Sequence, residues 1–219
     1  DLAIGAPGED YEEDVPIADS GLVSIGFGGR DGIRTGASGS PSVFNESMAT
    51  GVTFSAGAQF GQGLAAANVG YNAHDDLLAG AYGSAPNGGS PAGAVAVIYG
   101  GPDGFEDSHS LYQDMPSVED FGETGDFFGW ALGAGRFDGR GPADLAVGVH
   151  GESLAGPTIG LARASARGEP GPPPLAGAGA VAIFRGTGLG ITVDGDRLIH
   201  QGAGGLGGEV EAGDNFGIA

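Results

Sequence analysis

A three-part phrase occurs three times in this chain, in the same order each time. The first part is a Phe-Gly pair: Gly57-Ala58-Gln59-Phe60-Gly61, Gly125-Asp126-Phe127-Phe128-Gly129 and Gly213-Asp214-Asn215-Phe216-Gly217. The second is an Asp-led apolar run: Asp1-Leu2-Ala3-Ile4-Gly5, Asp76-Leu77-Leu78-Ala79-Gly80 and Asp144-Leu145-Ala146-Val147-Gly148. The third is a short run rich in β-formers: Gly21-Leu22-Val23-Ser24-Ile25, Gly93-Ala94-Val95-Ala96-Val97 and Gly179-Ala180-Val181-Ala182-Ile183. A recurring unit of this length cannot bury its apolar faces alone. It predicts an array of like units that bury those faces against one another.

Within each unit the sequence predicts four short antiparallel strands. Strand one starts at the Phe-Gly and runs through Leu64-Ala65-Ala66-Ala67 or Trp130-Ala131-Leu132. Strand two is the Asp-led run, and strand three is the Gly-x-Val run. Strand four is short: Ser42-Val43-Phe44, Ser110-Leu111-Tyr112 and Arg197-Leu198-Ile199. Val, Ile, Leu and Phe bounded by Gly, Pro, Asp and Asn carry this assignment. Small residues dominate the first two strands and bulkier ones the last two, the gradient expected of a wedge whose first strands crowd an axis. The predicted class is therefore all-β, with four-stranded blades of a propeller. Residues 1–59 hold strands two to four of one blade, 60–127 a complete blade, 128–215 another, and 216–219 the start of a fourth. An insertion, 151–178, contains Glu169-Pro170-Gly171-Pro172-Pro173-Pro174 and predicts an extended surface loop.

Composition limits the partners. Gly and Pro number 48 and 13 among 219 residues, and much of the Gly sits at repeated positions beside Val, Ile and Phe, so it reads as structural rather than low-complexity. A net charge of -20 with only 8 basic residues argues against nucleic acid and anionic membranes, which need Lys and Arg clusters. Without Cys there is neither a disulfide nor a thiolate metal site. No apolar run approaches the ~20 residues of a membrane-spanning helix, so direct membrane insertion is not expected.

The three phrases resemble the FG-GAP repeat of integrin α-subunit propellers and of many secreted bacterial proteins. Gly5-Ala6-Pro7 keeps the Gly-Ala-Pro element, while Gly80-Ala81-Tyr82 and Gly148-Val149-His150 depart from it. The resemblance covers nearly the whole chain except 151–178. It implies a seven-bladed propeller, extracellular placement, calcium-stabilised blades, and adhesion or ligand recognition as the role. It also implies a calcium loop between strands one and two, of the form Asp-x-Asp/Asn-x-Asp-Gly-x-x-Asp. Over 68–76 the matching positions are Asn68, Asn72 and Asp76, with Gly70 in place of an acidic ligand. Over 136–144 they are Asp138 and Asp144, with Arg136 and Arg140 at two ligand positions. Arg has no acceptor and brings positive charge to a cation site. The favoured expectation is that Asp76 and Asp144 accept backbone N–H bonds and hold a turn without metal.

The acidic segment Glu9, Asp10, Glu12, Glu13 and Asp14 reads as a solvated loop. His74, His109, His150 and His200 have no ligand spacing, and Asn45-Glu46-Ser47 is a short glycosylation-type match. No Gly-x-Ser-x-Gly or His-Glu-x-x-His occurs, so no catalytic residue is assigned. Loops between strands two and three share one face with the blade-to-blade links. That face carries the acidic loop, 83–92 and the Pro-rich insertion, and it is the expected surface for a protein or carbohydrate ligand. The leading expectation is a non-enzymatic, extracellular binding or adhesion scaffold. The alternative is an accessory propeller region of a larger secreted hydrolase. The chain opens in strand two and closes in strand one, so it reads as a slice of a longer array whose apolar end faces associate.

Overall fold

The computed structural model describes residues 1–11, 16–30, 32–35, 43–45, 55–155, 173–203 and 206–219. Among these residues twelve strands follow one another: β1 (Leu2–Ala6), β2 (Leu22–Gly29), β3 (Gly32–Thr35), β4 (Val43–Phe44), β5 (Leu64–Ala67), β6 (Asp76–Ala81), β7 (Ala94–Gly101), β8 (Gly104–Leu111), β9 (Leu132–Gly135), β10 (Asp144–Val149), β11 (Ala180–Thr187) and β12 (Gly190–Ile199). They form three four-stranded antiparallel sheets. The second runs β5-β6-β7-β8 and the third β9-β10-β11-β12. In the first, β1, β2 and β3 follow one another and β4 also pairs with β2. Among the described residues there is no α-helix, only a 3₁₀ turn at Pro86–Gly88. The chain is all-β.

The outermost strands are longer than expected. β8 and β12 begin directly after tight turns, where Gly101 pairs with Gly104 and Thr187 with Gly190. β8 (GFEDSHSL) is polar over much of its length. An outer strand faces solvent on one side, so it lacks the continuous apolar run that marks β7.

The Phe-Gly pairs do not begin strand one, which starts later, at Leu64 and Leu132. Each is instead a junction between consecutive sheets. Phe60, Phe128 and Phe216 bridge in parallel to Gly21, Gly93 and Gly179 of the preceding unit. Their N–H groups donate to the carbonyls of Ser20 (2.9 Å), Ala92 (2.8 Å) and Ala178 (3.0 Å). The glycine that follows each Phe has φ of 89°, 92° and 89°, a left-handed backbone that favours Gly. Its carbonyl oxygen then presses on the strand-two glycine of the preceding sheet. A Cβ at Gly5, Gly80 or Gly148 would collide with the carbonyl oxygen of Gly61, Gly129 or Gly217. The repeated glycines thus come from two backbones in contact.

The core follows from strand alternation. Leu77, Ala79, Ala81 and Ile98 of the middle sheet pack with Val23, Ile25, Phe44 and Phe60. Leu78, Val95 and Val97 on its other side pack with Phe128, Leu145, Val147, Ala182 and Phe184. The middle sheet is therefore apolar on both faces, and every residue of β6 is buried. Among the described residues, the end sheets are covered on one face only. Leu2 and Ile4 are 48% and 54% exposed. Ala146, Val181 and Ile183 are half-buried, because no described element packs on that side. For the same reason Phe60 and Phe128 are fully enclosed and Phe216 is not.

Candidate functional site

The Asp that leads each strand two has one structural job, performed three times. Asp1, Asp76 and Asp144 each accept, on Oδ1, the N–H of a glycine in the neighbouring strand: Gly28 (2.7 Å), Gly100 (3.0 Å) and Gly186 (3.0 Å). The second oxygen of Asp76 accepts from Val69 N–H (2.8 Å), and that of Asp144 from Phe137 N–H (2.8 Å). The other residues of the calcium-like loops are likewise held by local bonds. Asn68 Oδ1 accepts from Gly70 N–H, Asn72 Oδ1 from His74 N–H, and Asp138 Oδ1 from Arg140 N–H. Burial raises the Asp76 carboxyl above its ordinary value, opposed by its backbone donors. Asn68, Asn72 and Asp76 thus share one turn, and Asp138 and Asp144 share its counterpart in the third sheet. Each turn is organised by backbone donors to side-chain oxygens.

The opposite face holds a different group. It lies where the link from β8 to β9 meets the end of β10. Gly151 N–H donates to Asp126 O (3.0 Å), and Gly179 N–H donates to Glu152 O (3.0 Å), so the backbone fixes both acids. Asp126 is 2% exposed and Glu152 4%. With the exposed Glu123 they bring carboxylate oxygens within 4.8 Å of one another. Gln113, 3% exposed, donates from Nε2 to Glu152 Oε2 (3.1 Å). Burial pushes the Asp126 carboxyl up to about 6, and the nearby Glu123 and Asp120 add to the effect. Burial also raises Glu152, reinforced by contact with Asp120. The ionised groups acting on this pair are all carboxylates, so each acid penalises the charge of the next.

Beside the acids lies an aromatic cluster that joins the second and third units. Tyr82 is 4.5 Å from Trp130, Trp130 is 4.8 Å from His150, and Phe127 stacks on His150 at 4.9 Å. Phe127 has φ 60°, and the matching Gln59 and Asn215 have φ 57° and 52°. A left-handed backbone is unusual for a bulky residue, and its persistence here is set by the surrounding junction. Tyr82, Phe127 and Trp130 are part-exposed, whereas His150 is buried, which lowers its pKa.

Sequence reasoning placed the favoured surface on this face but did not identify these residues. It finds no ligand spacing for His150 and names neither Asp126 nor Glu152 as site residues. The available signal was the departure of the second-to-third junction from the first-to-second: Asp126 for Ala58, Phe127 for Gln59, and Glu152 for Ser84. Parts of two earlier candidates lie outside the described residues: 12–15 of the acidic segment and 46–47 of the glycosylation-type match. So do residues 156–172 of the insertion, whose base is closed by a two-way bridge between Leu154 and Leu175. No protein-family model matches this chain, and no curated protein matches it.

Proposed function

We propose that this chain is a set of FG-GAP-type propeller blades that acts outside the cell as a non-enzymatic binding or adhesion scaffold. The fold part of this proposal is supported by one contact made three times: strand-two glycine against Phe-Gly carbonyl, at Gly5, Gly80 and Gly148. A unit that hands the same junction to its successor generates a closed or open array of stacked sheets.

The single observation that supports binding is the part-exposed Tyr82–Phe127–Trp130 cluster beside buried acids, on the face of the strand two-to-three loops. Aromatic faces stack on sugar rings or basic side chains, and adjacent carboxylates accept hydrogen bonds from hydroxyl or cationic groups. The ligand class is a carbohydrate or a protein segment with exposed hydroxyl or basic groups. Arrayed glycans and immobilised extracellular proteins provide the test. Binding should be lost in Trp130→Ala and retained in Phe137→Ala, whose ring is exposed on the opposite hairpin face. Loss through Phe137 with retention through Trp130 would place the binding surface elsewhere, and hydrolysis of any arrayed glycan would favour an enzyme.

A further inference from the structure

We infer that Asp126, Glu152 and Glu123, with Gln113 and Asp120, form a binding site for a calcium-type divalent cation on the link between the second and third sheets. The site is separate from the strand one-to-two turns and does not depend on the ligand-binding role proposed above.

Three observations carry the inference. The first is geometric. Three carboxylate oxygens lie within 4.8 Å of one another, and one calcium shell of oxygens at ~2.3–2.6 Å from the ion spans about 5 Å. Two of the three acids are buried and the third, Glu123, is exposed, which leaves a side for entry and for water ligands.

The second is a pair of buried oxygens short of donors. Gln113 is 3% exposed, and its amide is held between Glu152 and Asp126, yet Oε1 of that amide has no hydrogen-bond partner. Asp120 is in hydrogen-bond contact with Glu152, a contact that two carboxyl groups make through one shared proton, and no other donor reaches its buried Oδ2. A buried acceptor without a donor is costly, and a buried carboxylate facing another is more so. A cation held by the carboxylates removes their mutual repulsion.

The third is an internal control. The first-to-second junction is built the same way, with Gly83 N–H donating to Ala58 O (3.1 Å) and Gly93 N–H to Ser84 O (3.0 Å). At the two positions where the second-to-third junction has Asp126 and Glu152, the first-to-second has Ala58 and Ser84, both fully buried. The fold therefore builds this junction without a carboxylate at the Glu152 position, whereas Asp126 also caps its own turn by accepting Glu123 N–H (2.6 Å), as Asp214 accepts Glu211 N–H (2.8 Å). An all-oxygen donor set without His or Cys selects a hard cation over zinc or copper. The irregular spacing of donors from a link and a strand end suits calcium better than magnesium, which demands near-octahedral geometry.

The test is calorimetric titration of the chelator-stripped full chain with calcium chloride, at mildly alkaline pH so that the carboxylates are ionised. One calcium per chain should bind. The Asp126→Ala/Glu152→Ser double variant reproduces the first-to-second junction's own residues, so it should keep the β-rich circular dichroism and lose the binding heat. Glu123→Gln, at an exposed position, should fold normally and weaken calcium by about tenfold or more through loss of one charged ligand. Asn72→Ala and Asp138→Ala should leave the heat unchanged. Absence of heat in the unaltered chain, unchanged affinity in Glu123→Gln, or loss of heat in Asp138→Ala would each overturn the assignment. If the double variant fails to fold, the Glu123→Gln and Asp138→Ala arms still decide the matter.

Discussion

Asp76 and Asp144 show how one side chain at the start of a strand organises two turns. Each is nearly fully buried, and each accepts N–H groups from both the strand one-to-two loop and strand three. Replacement by Ala strands two buried donors, and Asp76→Ala should cost ~2–4 kcal/mol in urea unfolding. A loss below about 0.5 kcal/mol would mean that water replaces the carboxylate at no penalty. His109 provides a pH prediction. Burial depresses its pKa, partly opposed by Asp107, and the ring lies 5.5 Å from that of Tyr99. A group whose folded pKa is depressed stabilises the fold above its unfolded value, and that contribution is lost as pH falls through the folded one. Stability of the unaltered chain relative to His109→Gln should therefore decline as pH drops below about 6.5. Parallel urea midpoints across that range would show that His109 titrates equally in both states.

At the scale of the element, the Phe-Gly junction decides whether sheets stack. Phe128 is fully buried between the second and third sheets, 6.0 Å from Phe184 edge-on. Phe128→Ala should cost ~3–5 kcal/mol, with Phe216→Ala costing distinctly less because its ring is only partly covered. Equal losses would mean that the third unit's junction is as enclosed in solution as the second's. Gly80→Ala drives a methyl group into the Gly129 carbonyl and should cost ~1–3 kcal/mol or more. Gly207→Ala meets open space and should stay within about 0.5 kcal/mol. Thermal melts of the two glycine variants measure the cost of separating two touching backbones.

Over the whole molecule, charge and apolar surface act against each other. The net charge of -20 disperses chains, while the two end sheets each present an incompletely covered apolar face. Leu2, Ile4, Ile33 and Val43 are 45–56% exposed on the first, and Ile183 and Ile199 lie near Phe137 on the third. This 219-residue chain should self-associate through these faces, more strongly as salt screens the charge. Light scattering across a concentration and salt series should show the average mass rising, and an Ile4→Thr/Ile33→Thr variant should shift it toward monomer. A constant monomer mass at high salt would show that both faces are covered in solution.

The sequence by itself determined the all-β class and the repeat, and it showed the Phe-Gly pairs recurring, though as the start of strand one rather than as the junctions they form. Phe-Gly, the strand-two glycine and the leading Asp act through contacts that recur in every unit, so their signal is repeated along the chain. It also pointed to the face on which the acid and aromatic cluster lies. Only the tertiary structure decided what is singular. The length of β8 and β12 depends on pairing with a neighbour rather than on an apolar run. The grouping of Gln113, Asp126 and Glu152 depends on a link crossing the end of a strand from the next sheet. Glu9 and Asp10 are exposed, whereas Asp126 and Glu152 are enclosed, although both pairs are ordinary acids in a glycine-rich sequence. Burial and the crowding of like charges belong to the surroundings that folding assembles, and no residue letter carries them.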